Sequence, residues 1–544
     1  MMSGHRRTGW RTALPRITPR LLPPSILRLP EPAIPDHGPH RAVVAPFLAV
    51  AGALLLVACP GTITPFQSVA EPALPPARDP SWNQLVAIRN DDWFHLLDHG
   101  PAAINWRLRS IDSAMQSIDL QSFLVGDDPL SGELIRRLLL AADRGVRVRI
   151  LLDDSFLEKR DATVHAIDSH PNVEFRIYNP YGRRSGGSAM RILLNLGDFS
   201  RVDHRMHNKL LVVDNRAALV GGRNLADEYF GHDPAMNFRD LEVLTGGPHV
   251  RGLSKAFDTY WNDHWAIPAD RLPAAGKSRL DLATYRKTLK NQPFLPGVES
   301  SEVRLRAWRG VCQSAVSGYP TLLVDRPPDK NPAKAGEAPV QVAHDLRKLI
   351  DGADSEVILI SAYFIPTPEL EAAVERAEKR GVQVRILTNS LRSNNHTAAH
   401  AAYRNHLRRL VHHGADLHEL RADGKDRGRH MKGSARDRTL ALHAKAIVVD
   451  HDRVFVGSCN LDARSLRINT EMGLLIKSPE LNHQLRETLK FDFHPRNAWH
   501  VQNQPDGSLR WISDDQSLKK PPAAFRMQRL EDWIFSLLPI EGEM

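Results

Sequence analysis

Two segments of this chain place a histidine, a lysine and an aspartate at the same spacing: HNKLLVVD at 207–214 and HAKAIVVD at 443–450. Neutral imidazole is a capable nucleophile near neutral pH, and its conjugate acid a capable proton donor, because its ordinary pKa is about 6.5. Read as a strand, each motif puts its His and Lys on one face, His207 with Lys209 and His443 with Lys445, while Asn208 points away. The runs that follow, Leu210–Val213 and Ile447–Val449, are apolar on both faces, as in a strand buried within a sheet. Fourteen residues past each His stands a Gly (Gly221, Gly457), followed by Gly222 or Ser458, and seventeen past it an Asn (Asn224, Asn460). A carboxylate follows in each copy, Asp240 and Glu471, eight residues before Pro248 and Pro479.

Attack at phosphorus needs a nucleophile on one side of the scissile bond and an acid on the other. Two equivalent His in slightly different surroundings can divide those roles. Lys ammonium and Asn amide groups can hold the non-bridging oxygens and stabilise charge in the transition state. The downstream acids can accept from the His rings and fix their tautomers. Lysines beside both His oppose a divalent cation and no Cys joins them, so no metal is expected. These residues predict one pseudo-twofold site where two halves of the chain meet.

The elements that must position them are also written twice. Residues 134–154, LIRRLLLAADRGVRVRILLDD, and 370–390, LEAAVERAEKRGVQVRILTNS, both read as a helix, a Gly stop and an alternating strand. Gly381 follows Gly145 by 236 residues, and His443 follows His207 by 236. A further apolar segment precedes each helix, at 117–125 and 356–365. Strand–helix–strand order predicts parallel pairing and an α/β class fold of two duplicated, α/β/α-layered lobes. The expected boundaries are 84–265 for the first lobe and 340–480 for the second. A connecting segment at 266–339, partly helical, separates them, and a tail covers 481–544.

The constellation resembles the phospholipase D superfamily, whose signature is HxKxxxxD followed by GGxxN or GSxxN. Both copies match: His207, Lys209, Asp214, Gly221, Gly222, Asn224, and His443, Lys445, Asp450, Gly457, Ser458, Asn460. The resemblance implies a phosphohistidine intermediate on His207, with His443 as acid and then base, and no metal or other cofactor. It implies that Asp214 and Asp450 support the motif and that Asp240 and Glu471 orient the His rings. Ser458, opposite Gly222, supplies a hydroxyl that could touch phosphate on one side only. The flanking words DFSRVDHRMHNK, VGGRNLADEYF, LTNSL, LDARSLRINTEMGLLI and SLLPIE look like bacterial cardiolipin synthases of the C type. That implies transfer of a phosphatidyl group to phosphatidylglycerol from phosphatidylglycerol or phosphatidylethanolamine. Hydrolysis to phosphatidic acid is the alternative, and a nuclease a more distant one.

Composition bounds the partner. Net charge is +9 and the pI about 9.5, which favours anionic partners, nucleic acid or acidic lipid surfaces. Only 6% of residues are aromatic, and no cationic cluster interleaved with them flanks either motif, so nucleic acid is not an expected partner. Residues 42–58 carry no charge and end at Cys59; LVAC resembles a lipobox. The expectation is a cleaved leader over 1–58, a lipidated Cys59, and an extended tether over 59–83 hanging from a bacterial membrane on its periplasmic side. An uncleaved inner-membrane anchor is the alternative. Cys312 and Cys459 are expected as free thiols. Near the C-terminus, Met527, Leu530, Trp533, Ile534, Leu537 and Leu538 form one helical stripe, expected to dock on the protein's own core rather than in a membrane interface.

Overall fold

The repeated helix and strand form where the periodicity places them. Pro129–Asp143 is capped by Asp128, and Pro368–Lys379 by Thr367, with a Pro in the first turn of each. Gly145 and Gly381, at φ of +91° and +85°, turn the chain into the strands Arg147–Asp153 and Gln383–Asn389. This computed structural model describes residues 63–67, 69–157, 160–184, 188–272, 280–290, 297–329 and 341–537. All of these belong to one unit beginning at Leu55. The leader and Cys59 lie outside the described residues.

Each repeat builds a mixed sheet with the same spatial strand order. In the first lobe it runs Trp93–Leu97, Glu242–Gly246, Ala217–Gly221, Leu210–Val213, Ser117–Ser122, Arg147–Asp153, Val173–Tyr178, Ala266–Pro268. In the second it runs Tyr319–Val324, Met472–Lys477, Arg453–Gly457, Lys445–Val449, Glu356–Ser361, Gln383–Asn389, Asp416–Leu420, Ala498–Asn503. Pairing is parallel among the three strands that alternate with helices and antiparallel around the motif strands.

The motif strands are sandwiched between two apolar layers, which is why they read as apolar on both faces. Leu211 and Val213 face the first lobe's outer core, while Leu210 and Val212 face a core shared by both lobes. Ile447 and Val449 face the second lobe's outer core, and Ala446 and Val448 the shared one. The helices Val250–Trp261 and Pro479–Asp492 fill that shared layer with Leu253, Phe257, Trp261, Leu481 and Leu485. The chain is thus two α/β lobes joined through a common hydrophobic layer.

Several boundaries differ from the sequence expectation. The segment 266–339 is not a mere connection: Ala266–Pro268 and Val316–Ser317 extend the first sheet, and Tyr319–Val324 opens the second. The second sheet runs beyond residue 480 through Ala498–Asn503, Leu509–Ile512 and Ser517–Leu518. Short strands at sheet edges carry weak alternation, so their pairing is set by neighbours distant in sequence. The described part of the 59–83 segment lacks regular structure up to Asp79, where the helix Pro80–Ile88 begins, and it is fastened to the first lobe. There the amides of Phe66, Glu71, Ala73 and Ala77 donate to His264 O, Asn262 Oδ1, Asp258 Oδ2 and Asp214 O. Cys312 and Cys459 are free and buried. Among the described residues no helix is long and apolar enough to cross a membrane.

Candidate active site

The two motifs meet at one cleft. His207, Asn224, His443 and Asn460 all line it, with a volume of about 480 Å³ and an aromatic rim of Phe123, Phe156, Tyr363 and His396. His207 and Lys209 come just before the strand Leu210–Val213 rather than on it, whereas Lys445 begins its own strand.

Backbone pairing between the lobes fixes the geometry. Met236–Arg239 and Thr439–Leu442 form a parallel two-stranded ladder. His207 N donates to Thr470 O at 2.9 Å, and His443 N donates to Arg239 O at 2.8 Å. The residue after each of these carbonyls is the carboxylate of that lobe, so the acids cross. His207 Nδ1 lies 2.9 and 3.0 Å from the Glu471 oxygens, and His443 Nδ1 lies 2.6 Å from Asp240 Oδ2. A neutral ring that donates its Nδ1 proton to a carboxylate keeps Nε2 as the unprotonated nitrogen. Arg239, buried at this crossing, is held by Asp492 at 2.8 Å.

Burial, with the charges of Lys209 and Lys445, holds His207 well below its ordinary pKa. Burial and Lys445 bring His443 down to about 3, against the opposing pull of Asp240. Both rings are therefore neutral in the free site. Burial likewise brings Lys209 down to about 7 and Lys445 to about 8. Burial pushes Glu471 up to about 7, opposed by Lys209 and Ser458. It would raise Asp240 too, but His443 and Lys445 hold that carboxyl below its usual range. The two His–carboxylate pairs thus differ in charge tendency despite the shared plan.

The supporting residues explain themselves by contact. A Cβ on Gly221 would sit 2.4 Å from Leu241 O, and one on Gly457 2.5 Å from Met472 O. On Gly222 it would meet Asp240 Oδ1 at 2.3 Å. Ser458, in the matching place, turns its hydroxyl to Glu471 and to Met472 O rather than towards a substrate phosphate. That corrects the sequence reading: the hydroxyl holds the carboxylate. Asn224 Nδ2 donates to Tyr229 Oη at 2.9 Å. Oδ1 of both Asn224 and Asn460 is buried without a partner among the described residues.

Asp214 and Asp450 sit at the other end of their strands, at φ of +55° and +49°. Asp214 accepts from Met115 N, Gln116 N, Ser117 N and Trp82 Nε1 at 2.6–2.9 Å. Asp450 accepts from the amides of Asp354, Ser355 and Glu356 at 2.7–3.2 Å. Burial would raise Asp450, but these donors hold it down at about 2.

Sequence reasoning missed the aromatic rim and Asp325. Asp325 accepts from Glu471 N at 3.0 Å and donates its own amide to Glu471 O. A lone Asp in a segment read as a connection carries no signal. Tyr229 and Phe238 pack on His443 with centroids 4.8 and 5.1 Å away, and Phe123 on His207 at 4.9 Å.

Comparison with known proteins meets this geometry. The family model described as cardiolipin synthase, PLD-like domain, matches residues 108–261 and 346–492, one match per lobe. Cardiolipin synthase C of Escherichia coli (strain K12) is 34% identical over 459 residues, 80% of this chain and 92% of that protein. An uncharacterized protein of Helicobacter pylori (strain J99 / ATCC 700824) is 30% identical, over 80% of this chain and 87% of its own. The crystal structure of phosphatidylserine synthase from Haemophilus influenzae Rd KW20 superposes with a TM-score of 0.48 at 15% identity, over 76% of this chain and 90% of that one. With both lobes matched and both motifs intact at one cleft, the chain belongs to the cardiolipin synthase family of phospholipase D-like enzymes.

Proposed function

We propose that this enzyme transfers a phosphatidyl group between phospholipids and makes cardiolipin. The observation that carries the reading is the crossed pair of neutral, buried His rings, each on the other lobe's carboxylate, beside two buried lysines. His207 Nε2 attacks the donor phosphorus. His443, which takes up a proton from solvent as the anionic phosphodiester binds beside it, protonates the departing oxygen of glycerol or ethanolamine, and the P–N bond to His207 forms as that P–O bond breaks. His443 then takes the proton from a phosphatidylglycerol hydroxyl, whose oxygen attacks phosphorus and frees His207. Lys209, Lys445, Asn224 and Asn460 hold the non-bridging oxygens. The aromatic rim supports a lipid acceptor, since it presents apolar surface where acyl-glycerol must lie. A lipidated Cys59 remains the anchor proposed from sequence.

Incubation with labelled phosphatidylglycerol and phosphatidylethanolamine tests this by product. Cardiolipin is expected; phosphatidic acid as the main product would make the enzyme a hydrolase and overturn the transfer reading.

The pH profile follows from the charges. As pH falls through about 7, Glu471 gains a proton and ceases to accept from His207. As pH rises through about 7 to 8, Lys209 and then Lys445 lose theirs and stop attracting phosphate. A bell-shaped kcat/KM centred between those limbs is expected, because kcat/KM reports the free enzyme. Bound phosphate favours the ammonium form, so the alkaline limb of kcat should lie at higher pH. Ser458→Ala removes a donor to Glu471 and should move the acid limb upward. A kcat/KM flat from about pH 6 to about pH 9 would contradict the assignment.

A further inference from the structure

The helix Arg526–Phe535 sits on the second lobe with its faces reversed. At about 100° per residue, Met527, Leu530, Trp533, Ile534 and Leu537 lie on one side, opposite Gln528 and Asp532. The polar pair is the buried one. Gln528 Nε2 donates to Leu391 O at 2.7 Å, while Asp532 accepts from His400 Nδ1 at 2.7 Å and Arg404 Nη1 at 3.1 Å. The apolar side faces out, with Met527 56%, Trp533 51% and Leu537 65% exposed. For the described residues of the stripe, outside which Leu538 lies, this overturns the expectation that it docks on the protein's own core. A helix in water buries its apolar stripe, so an outward one marks a surface made for an apolar medium.

Cations adjoin the stripe at Trp533. Arg404, Arg408, Lys519, Lys520 and Arg529 line a depression of about 410 Å³ beside Trp533. Lys519 and Lys520 are exposed. The helix packs on Thr397–Arg404, and His396, immediately before that segment, is at the catalytic cleft's rim. On the first lobe, Met190, Leu193, Leu196 and Phe199 are also exposed. Arg191 among them donates to Asp154 O and Leu157 O, on either side of Phe156 at the opposite rim. Exposed apolar surface therefore adjoins elements that line the cleft on both lobes.

We infer that the C-terminal helix and its basic depression seat the enzyme on an anionic phospholipid bilayer. The apolar stripe enters the interfacial layer, and Lys519, Lys520 and the arginines face phosphate headgroups. This docking deepens the phosphatidyl-transfer reading and rests on it for the choice of a lipid occupant. A second copy of the chain would match the stripe but not the like charges clustered beside Trp533, whereas an anionic bilayer matches both. The cations act as screened attraction at a surface, so their effect weakens with salt.

The test uses the full chain carrying Leu530→Cys, with Cys59→Ser so that one accessible thiol takes an environment-sensitive dye; Cys312 and Cys459 are buried. The dye is read on vesicles of phosphatidylglycerol with brominated acyl chains, against a control dye at Arg306→Cys on the helix Ser301–Ser314. Emission from position 530 should shift to the blue and be quenched several-fold more than that from 306. Lys519→Gln with Lys520→Gln should weaken the effect, since each lost cation lowers attraction to an anionic surface by about fivefold. Equal response at both positions, or equal response on neutral phosphatidylcholine, would overturn the inference. So would a blue shift without lipid in a chain that sediments as a dimer, because a second copy would then cover the stripe. Turnover of soluble short-chain phosphatidylglycerol separates the two readings. Turnover kept while quenching is absent defeats the docking alone; quenching without any transfer defeats the functional reading alone.

Discussion

His207→Asn is expected to lower turnover by about 10⁴-fold or more, the scale on which removing a covalent nucleophile acts. His443→Asn should match it on natural lipids but part from it on a phosphodiester whose leaving group needs no proton. There the covalent step survives in His443→Asn, giving a burst without steady turnover, while His207→Asn gives neither. Acid-labile, base-stable phosphate should be trapped on His207. The difference rests on the two carboxylates: His443 leans on Asp240, held ionised by its neighbours, whereas His207 leans on Glu471, which titrates near neutrality. An ionised partner stabilises an imidazolium and so suits the proton donor. Phosphate trapped on His443 would reverse the assignment, and an active enzyme that never carries phosphate on either ring would end the covalent mechanism.

The other large effect is on folding, not chemistry. Asp214→Ala should destabilise the first lobe by about 4 kcal/mol, because three amides and the Trp82 indole lose their acceptor, at about 1 kcal/mol or more each. Those groups join the strand Ser117–Ser122 and the helix Pro80–Ile88 to the motif strand. Asp214→Asn should cost roughly half, since one oxygen still accepts. Asp450→Ala should cost less than Asp214→Ala, because Asp450 is nearer solvent and its donors bond water on opening. Chemical denaturation reads these differences, with kcat of the folded fraction as the control. An unchanged denaturation midpoint with a lost kcat would place Asp214 in the reaction and contradict its position, about 20 Å along the strand from His207 at roughly 3.3 Å per residue.

Much of the site could be read from spacing. The apolar run in each motif put His and Lys at one end of a core strand, although His207, Lys209 and His443 precede their strands rather than alternate on them. That a Cβ on Gly221 or Gly457 would strike a neighbouring strand is visible only in the structure. What spacing cannot express is which lobe serves which ring. Asp240 follows His207 in sequence, yet it bonds His443, because the ladder between 236–239 and 439–442 carries it across. Ser458 looked like a phosphate contact because a lone hydroxyl carries no direction; the fold aims it at Glu471.

The sequence by itself determined the duplication, the strand and helix that flank each Gly stop, the apolar motif strands and the set of reactive groups. These depend on local periodicity and on residue chemistry, which a linear pattern records. Only the tertiary structure decided the crossed His–carboxylate pairs, the reach of each sheet into 266–339 and beyond 480, and the outward stripe at 527–537. An amphipathic helix encodes its two faces but not which one meets the protein. Here the buried His400–Asp532 pair fixed that choice and turned the apolar face to the outside.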